Sequence, residues 1–287
     1  MRIYAISDLH LSVNNPKPMD IFGPTWEGYL DKIFADWKAK VSDDDIVLLA
    51  GDFSWAMKLE ETKADFDMLK DLPGKKIIIR GNHDYWWKSI SAVRNVLPLG
   101  FYAIQNDAIK FGNYIICGTR LWNLPDVNKS LSAEDDKIYK RELIRLEMTL
   151  QNAQKMKTGD EKIICMVHYP PYTFKEEDNE VTLLMEKYGV YKVVYGHIHA
   201  MCKQNLVLNK NGITYYLTSC DIVGNKLIDI DWCQSEVLSF WKIIDICGNN
   251  IVKWNDLGVL HEKIFKSFML HFGAWVSSYR LCNSRKH

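Results

Sequence analysis

Carboxylate, amide and imidazole side chains stand directly after five short apolar runs of this sequence. The residues are Asp8, His10, Asp52, Asn82, His168, His197 and His199. Oxygen and imidazole donors without cysteine suit manganese, iron, zinc, cobalt or magnesium rather than an iron–sulfur or thiolate site. These seven donors exceed the four that a structural zinc ion takes. The set therefore predicts two divalent metal ions as cofactors.

The spacing of these residues also suits a pair of ions. Side chains two positions apart on an extended chain point the same way, so Asp8 with His10, and His197 with His199, can each grip one ion. Two ions about 3.5–4 Å apart share a carboxylate, and a hydroxide held between them can act as the nucleophile. Five of the eight histidines lie in these loops, and the other three lie beyond residue 260. The pattern indicates metal-assisted hydrolysis.

Six apolar runs of the sequence, five of which precede these residues, are short and rich in β-branched side chains, which is typical of buried strands. They are Ile3–Ile6, Ile46–Ala50, Ile77–Ile79, Tyr114–Cys117, Ile163–Val167 and Lys192–Tyr195. Apolar stripes at helical spacing lie between them, over residues 26–37, 66–72 and 134–156. In α/β sheets, functional sites gather in the loops past the carboxyl ends of the strands. The sequence therefore predicts an α/β fold that brings the seven donors together.

The pattern changes after the last predicted helix. Leu206–Leu208 and Ile213–Leu217 flank a polar Asn-Gly segment, which predicts a β-hairpin. Residues 232–287 lack clear strand–helix alternation and carry an apolar stripe between Leu260 and Trp275. We therefore expect a catalytic domain over 1–231 and a C-terminal appendage over 232–287. The stripe could close a dimer, cover a sheet edge, lie on a membrane surface or have no native role.

Taken in order, the blocks D-L-H, G-D, G-N-H-D, V-H-Y-P and G-H-I-H resemble the calcineurin-like metallophosphoesterase superfamily over roughly residues 1–231. The resemblance implies a four-layer α/β/β/α sandwich of two mixed sheets flanked by helices. It implies hydrolysis of a phosphoester by in-line attack of a hydroxide held between two metals. Three rivals remain: a nuclease on the same fold, a phosphomonoesterase for nucleotides or sugar phosphates, and a non-catalytic binding scaffold.

Carried over block by block, the resemblance also implies a role for each site residue. The ligands divide between the ions, with Asp8, His10 and His199 on one, Asn82, His168 and His197 on the other, and Asp52 on both. His83 would assist at the leaving group, and Asp84 would orient the His83 imidazole. Asp84 could instead cap the segment that follows it, since aspartate is a good N-cap.

Two departures distinguish this chain from the protein Ser/Thr phosphatases of the superfamily. Gly51-Asp52 is followed by Phe53-Ser54-Trp55-Ala56 rather than by an Asp-Arg-Gly segment, and the later block ends in Asp84 rather than glutamate. A phosphoprotein phosphatase is therefore disfavoured. The sequence is closest in character to bacterial predicted phosphohydrolases.

Three further residues are candidates for substrate contact. Trp55 and Trp86 follow ligand blocks and could stack on a base or sugar, although Trp86 could equally serve helix-to-sheet packing. Arg120 follows a predicted strand and could clamp a phosphate oxygen, or pair with a surface carboxylate.

Bulk composition narrows the classes of partner and location. The formal net charge is zero, and residues 232–287 hold seven basic against four acidic residues, so the predicted catalytic domain has an acidic excess. This charge distribution argues against a nucleic-acid partner and favours a small-molecule phosphoester.

The seven cysteines include no C-x-x-C pair, and the apolar stretch before Asp8 is too short for a signal peptide. No run is long enough to span a bilayer. We expect a cytoplasmic protein and leave its oligomeric state open.

Overall fold

A computed structural model of the chain describes residues 1–14, 16–125, 131–200 and 205–231. The strands of these ranges are β1 (Ile3–Ile6), β2 (Ile46–Leu49), β3 (Lys75–Ile78), β4 (Phe101–Ala103), β5 (Ala108–Phe111), β6 (Tyr114–Thr119), β7 (Lys162–Val167), β8 (Val190–Tyr195), β9 (Val207–Lys210), β10 (Ile213–Leu217) and β11 (Ile228–Asp229). The α-helices are α1 (Tyr29–Lys40), α2 (Lys63–Leu69), α3 (Ile90–Val96), α4 (Ala133–Met156) and α5 (Glu180–Lys187). The predicted appendage at 232–287, with its apolar stripe, lies outside the described residues.

The strands form two mixed sheets. The first has the order β11-β1-β2-β3-β4, with β11 antiparallel to its neighbour and the other four strands parallel. The second has the order β5-β6-β7-β8-β10-β9, in which the four inner strands are parallel and both edge strands pair antiparallel. Parallel strands are buried on both faces, which explains why the inner strands read as continuous apolar runs.

Three apolar layers hold the fold together. Between the sheets, side chains such as Ile3 and Leu48 of the first sheet pack with Ile164 of the second. The outer face of the first sheet packs on α1, α2 and α3, and the outer face of the second packs on α4 and α5. Each fully buried leucine or isoleucine contributes about 1.5–3 kcal/mol. The predicted four-layer α/β/β/α class is confirmed.

The six predicted buried strands are present with ends shifted by a few residues, and the predicted hairpin is β9–β10, turning at Asn211-Gly212. The first helix begins later than its apolar stripe indicated. Trp26 ends a short 3-10 segment, and α1 starts after Gly28, whose φ of 57° lies in the left-handed region. No helix in the described ranges combines the length and apolar character needed to cross a membrane.

The carboxyl ends of the inner strands of both sheets meet at one edge of the sandwich. A parallel bridge between Ser7, after β1, and Ser219, after β10, joins the two sheets there. The amide of Asp8 also donates to the carbonyl of Gly51, after β2, at 3.0 Å. This edge is where the sequence places all seven candidate ligands.

Candidate metal centre

One group of candidate ligands gathers around Asn82. Its Oδ1 lies 2.7 Å from His168 Nε2 and 2.8 Å from His197 Nδ1. His168 Nε2 is also 3.4 Å from Asp52 Oδ2. The loops after β2, β3, β7 and β8 therefore bring carboxylate, amide and imidazole donors to a single point.

A second group gathers around Asp8 in the loop after β1. Asp8 Oδ1 lies 3.5 Å from His199 Nε2, and donor atoms of Asp8, His10 and His199 all lie within 4.8 Å of one another. Asp52 Oδ2 is 3.8 Å from His10 Nε2. Because the same Asp52 oxygen also faces His168, it lies between the two groups. The structure thus brings all seven predicted ligands together, but it places His197 in the Asn82 group and His199 in the Asp8 group, so the expectation that these two histidines hold one ion is wrong.

The donor arrangement itself tests whether cations fit. In the neutral form that binds metal ions, the His168 ring would donate through Nδ1 to the Ala50 carbonyl, 2.9 Å away, and turn the Nε2 lone pair towards Asn82 Oδ1 and Asp52 Oδ2. Three acceptors that converge in a buried space need positive charge between them. Divalent metal ions supply that charge, and the donor set is one that they accept.

The pKa values of the histidines in the two ligand groups also indicate that positive charge is favoured there. Burial opposes the charge on His168, but the carboxylates of Asp52 and Asp8 outweigh burial and raise its pKa to about 9. Burial likewise opposes the charge on His199, yet hydrogen bonds to Asp221 and Asp8 raise its pKa to about 10. In contrast, burial lowers the pKa of His10 to about 4. The carboxylates therefore favour positive charge at His168 and His199.

The buried carboxylates of Asp8 and Asp52 stay ionised. Burial favours the neutral acid, but the hydrogen bond from His199 and the charge of His168 hold the pKa of Asp8 well below its usual range. For Asp52, burial is outweighed chiefly by the charge of His168, which lowers its pKa. Ionised carboxylates are the form that binds metal ions.

Several of these ligands have strained backbones. Asp8, His10, Asp52 and His197 have φ values of 60°, 48°, 50° and 71°, in the left-handed region that such residues seldom adopt. Each costs on the order of 1–3 kcal/mol, and strain of this kind gathers at functional sites. Main-chain hydrogen bonds offset it, among them the 3.0 Å bond from the His10 amide to the Asp52 carbonyl.

The G-N-H-D and G-H-I-H blocks require glycine because neighbouring side chains lie too close to the backbone to leave room for a Cβ atom. A Cβ at Gly81 would overlap Asp52 Oδ1, and a Cβ at Gly196 would overlap Asp8 Oδ2 and the Ser7 hydroxyl. Any side chain there would displace a candidate ligand.

Asp221 is a site residue that the sequence reasoning missed. Its Oδ1 lies 2.9 Å from His199 Nδ1, and its Oδ2 accepts the Ala200 amide at 3.0 Å. The bond at Nδ1 fixes the ring so that Nε2 faces Asp8. Asp221 follows β10 at the same sheet edge, so the rule that found the other carboxylates would have found it.

His83 lies at the border of the centre. Its ring centroid is 5.6 Å from that of His10 and 4.5 Å from that of Trp55, and its Nδ1 lies 3.4 Å from the Tyr85 hydroxyl. Burial lowers the pKa of His83. Its half-buried position beside His10 suits the predicted role at the leaving group.

Asp84 does not orient His83, so that prediction is wrong. Its carboxylate accepts the amides of Phe53 at 2.9 Å, Ser54 at 3.1 Å and Gly81 at 2.7 Å, and the Trp86 indole at 3.0 Å. The capping alternative is also wrong, because the segment after Asp84 is a turn. Through these hydrogen bonds, Asp84 instead connects the loop that carries Asp52 with the loop that carries Asn82. Burial, reinforced by the charge of Asp52, raises its pKa to about 7.

The structure places the three residues predicted to contact substrate in different surroundings. Trp86 is fully buried against Phe66 of α2, so its predicted contact is wrong and packing is its role. Trp55 borders the centre, with its ring stacked on His10 at a centroid distance of 4.8 Å. Arg120 pairs with Glu142 at 3.7 Å and lies 4.7 Å from the Trp122 ring centroid. Glu142 is buried in α4, so the partner is an interior carboxylate and not a surface one.

A family model described as calcineurin-like phosphoesterase matches residues 1–201. The chain belongs to the calcineurin-like phosphoesterase family. Members of this family are phosphoesterase hydrolases and typically bind divalent metals. The chain is therefore a hydrolase of phosphoesters, as its sequence motifs predicted.

A search of curated proteins gave no match. Among solved structures, the chain is similar to a protein of unknown function from Aquifex aeolicus, with 16% identity and a TM-score of 0.43, over 83% of this chain and 98% of that one. It is also similar to protein TT1561 from Thermus thermophilus, with 15% identity and a TM-score of 0.44, over 79% of this chain and 97% of that one.

Proposed function

We propose that this protein hydrolyses a small-molecule phosphodiester or phosphomonoester with two divalent metal ions. Asp8, His10 and His199 would hold one ion, Asn82, His168 and His197 would hold the other, and Asp52 would bridge them. The observation that carries the proposal is the position of Asp52 Oδ2, which lies 3.8 Å from His10 Nε2 and 3.4 Å from His168 Nε2. One buried carboxylate oxygen thus faces both ligand groups.

When bound, the two cations supply Lewis-acid stabilisation of the phosphoryl oxygens and a water of lowered pKa. The chain's own residues do the rest. Buried Asp8 and Asp52 fix the ligand geometry and balance the cation charge. His83, whose Nδ1 faces the Tyr85 hydroxyl, directs Nε2 as a proton donor towards the departing oxygen. The Trp55 ring on His10 excludes water from one side of the centre.

We further infer that the protein works in the cytoplasm. Cys117, Cys165 and Cys220 are buried free thiols. Cys117 and Cys165 are opposite one another on β6 and β7 without a disulfide between them. Free cysteine pairs of this kind persist in reducing compartments.

The test of the proposed function is hydrolysis before and after removal of metal. Bis(p-nitrophenyl) phosphate, p-nitrophenyl phosphate and a short DNA oligonucleotide would be offered to chelator-treated protein, and then to protein reloaded with manganese, zinc or cobalt. We expect turnover of a nitrophenyl ester only after reloading. Preferential cleavage of the oligonucleotide would favour a nuclease, and full activity without metal would refute the two-metal proposal.

A further inference from the structure

Among the described residues, the His83 imidazole has a single hydrogen-bond partner, which is Tyr85. The Tyr85 hydroxyl lies 3.4 Å from His83 Nδ1. The backbone is fixed separately, because the His83 amide donates to Asp52 Oδ1 at 2.8 Å and the Tyr85 amide donates to the His83 carbonyl, also at 2.8 Å. The turn that follows Asn82 therefore sets the phenol beside the imidazole.

Asp84 is not available as a second partner of this ring. Its carboxylate accepts four hydrogen bonds, which come from the amides of Phe53, Ser54 and Gly81 and from the indole of Trp86. A carboxylate offers about four lone-pair positions, so these donors use its whole accepting capacity. The task of holding the His83 ring by a hydrogen bond therefore falls to Tyr85.

Aromatic contacts keep the His83 ring in this orientation. The Trp55 ring packs on it at a centroid distance of 4.5 Å, and the Tyr85 ring meets it edge-on at 6.0 Å. Trp55 is itself held, because it stacks on His10 at 4.8 Å and its indole Nε1 donates to Met19 Sδ at 3.4 Å. Packing of this kind limits rotation of a side chain, so His83 Nδ1 stays beside the Tyr85 hydroxyl.

The contact at Nδ1 decides where the imidazole carries its proton. A neutral imidazole has one N–H and one lone pair, and the hydrogen bond at one nitrogen sets the state of the other. A hydroxyl that donates to Nδ1 places the proton on Nε2, which is the nitrogen left to face the departing oxygen. Catalytic hydrogen bonds are often long without substrate and tighten when it binds, which fits the 3.4 Å separation of Tyr85 and His83.

We propose that Tyr85 is a positioning residue, whose hydroxyl donates to His83 Nδ1 and so keeps the transferable proton on Nε2. The inference rests on the proposed function, because it takes His83 as the acid at the leaving group. The Tyr85 side chain is 50% exposed, so loss of its hydroxyl leaves the core intact. Tyr85→Phe therefore separates the hydrogen bond from the packing of the ring.

The first test reads the His83 proton directly and needs no turnover. Full-length, zinc-loaded protein with nitrogen-15 in its histidines would be studied by long-range proton–nitrogen correlation NMR, at a pH where the His83 ring is neutral. Loss of signals in His83→Ala assigns the ring. We expect a bare Nδ1 and a protonated Nε2 in the wild type, and a mixture of both tautomers in Tyr85→Phe. A wild-type proton on Nδ1, or an unchanged tautomer in Tyr85→Phe, would overturn the proposal.

The second test compares two leaving groups in manganese-loaded protein. Glycerol 2-phosphate releases an alcohol that needs a proton, whereas p-nitrophenyl phosphate releases nitrophenolate, which does not; their methyl diesters serve if only diesters are cleaved. Tyr85→Phe should lower kcat for the glycerol ester roughly 2–10-fold, the net value of one hydrogen bond, with KM unchanged. It should leave the nitrophenyl ester unaffected. Equal slowing of both esters would overturn the proposal.

Two further variants complete the design. Tyr85→Phe should cost nothing more in a His83→Ala background, because Tyr85 acts only through His83, and an added loss there would overturn the proposal. The matched control is Tyr188→Phe. The Tyr188 hydroxyl donates to Glu147 Oε1 at 3.0 Å, outside the centre, so its removal should change neither ester.

Failure of this inference is distinguishable from failure of the proposed function. If His83→Ala slows only the glycerol ester while Tyr85→Phe changes neither the tautomer nor a rate, only the inference is contradicted. If no ester is hydrolysed, the proposed function is contradicted, and the tautomer of His83 in Tyr85→Phe still decides whether Tyr85 holds the ring.

Discussion

Replacement of Asp221 is the perturbation whose consequence the structure defines most closely. The carboxylate makes a 2.9 Å contact with His199 Nδ1 and a 3.0 Å contact with the Ala200 amide, and it is almost fully buried. Removal of such a partner of a metal-binding histidine typically lowers metal affinity about 10–100-fold. We therefore expect Asp221→Ala to lose roughly 1.4–2.7 kcal/mol of binding free energy at one ion.

Asp221→Asn should have a smaller effect. An asparagine keeps an oxygen that can accept from His199 Nδ1, but it removes the charge, and charge-assisted hydrogen bonds are roughly twice as strong as neutral ones. About half of the loss in free energy should remain, which corresponds to roughly a 3–10-fold weaker ion.

The assay is metal titration of chelator-treated protein, followed by calorimetry, with thermal unfolding measured beside it. The loss should fall on one of the two ions, because Asp221 contacts His199 and not the Asn82 group. Asp36→Asn is the matched control, since Asp36 also accepts a backbone amide, that of Leu227 at 2.9 Å, and pairs with a cationic side chain, Lys40 at 2.8 Å. Unchanged affinity in Asp221→Ala would refute the positioning role, and equal weakening of both ions would show general damage to the fold.

Three further predictions test other parts of the site. Asp52→Asn should lose both ions together and nearly all turnover, because Asp52 is the carboxylate proposed to bridge them; metal analysis that finds one ion retained would contradict the bridge. His83→Ala should keep the metals and slow hydrolysis on the order of 10²–10⁴-fold for an alcohol leaving group, but less for nitrophenolate, which needs no proton; equal losses for both would exclude an acid role. A chain shortened to end at Asp231 should keep its specific activity, since that residue still accepts the Ile3 amide at 2.9 Å and the Tyr114 hydroxyl at 3.0 Å. A folded, metal-loaded but inactive shortened chain would place part of the site in 232–287.

The inner strands and the seven donors were predictable because both depend on strong local signals. A parallel strand that is buried on both faces must be apolar throughout, and its carboxyl end must be followed by a loop. Short edge strands such as β4 and β11 carry no such signal. Their pairing comes from the rest of the sheet, so they were not predicted.

Side-chain partners within the site were harder to predict. Asp84 stands next to His83 in the sequence, but the turn directs its carboxylate to the amides of Phe53, Ser54 and Gly81. Trp86 lies two residues after Asp84, and the same turn directs its side chain into the core. Asp221 is separated from His199 by 22 positions, so only the three-dimensional fold shows their contact.

The central claim is that Asp52 joins two ions in one centre. The measurement that tests it most directly is the number of manganese ions bound per chain at saturation, read together with the electron paramagnetic resonance spectrum of the loaded protein. Two ions about 3.5–4 Å apart, bridged by a carboxylate, should be magnetically coupled. We predict two ions per chain and a coupled spectrum. One ion per chain, or two ions with independent signals, in fully active protein would contradict the account.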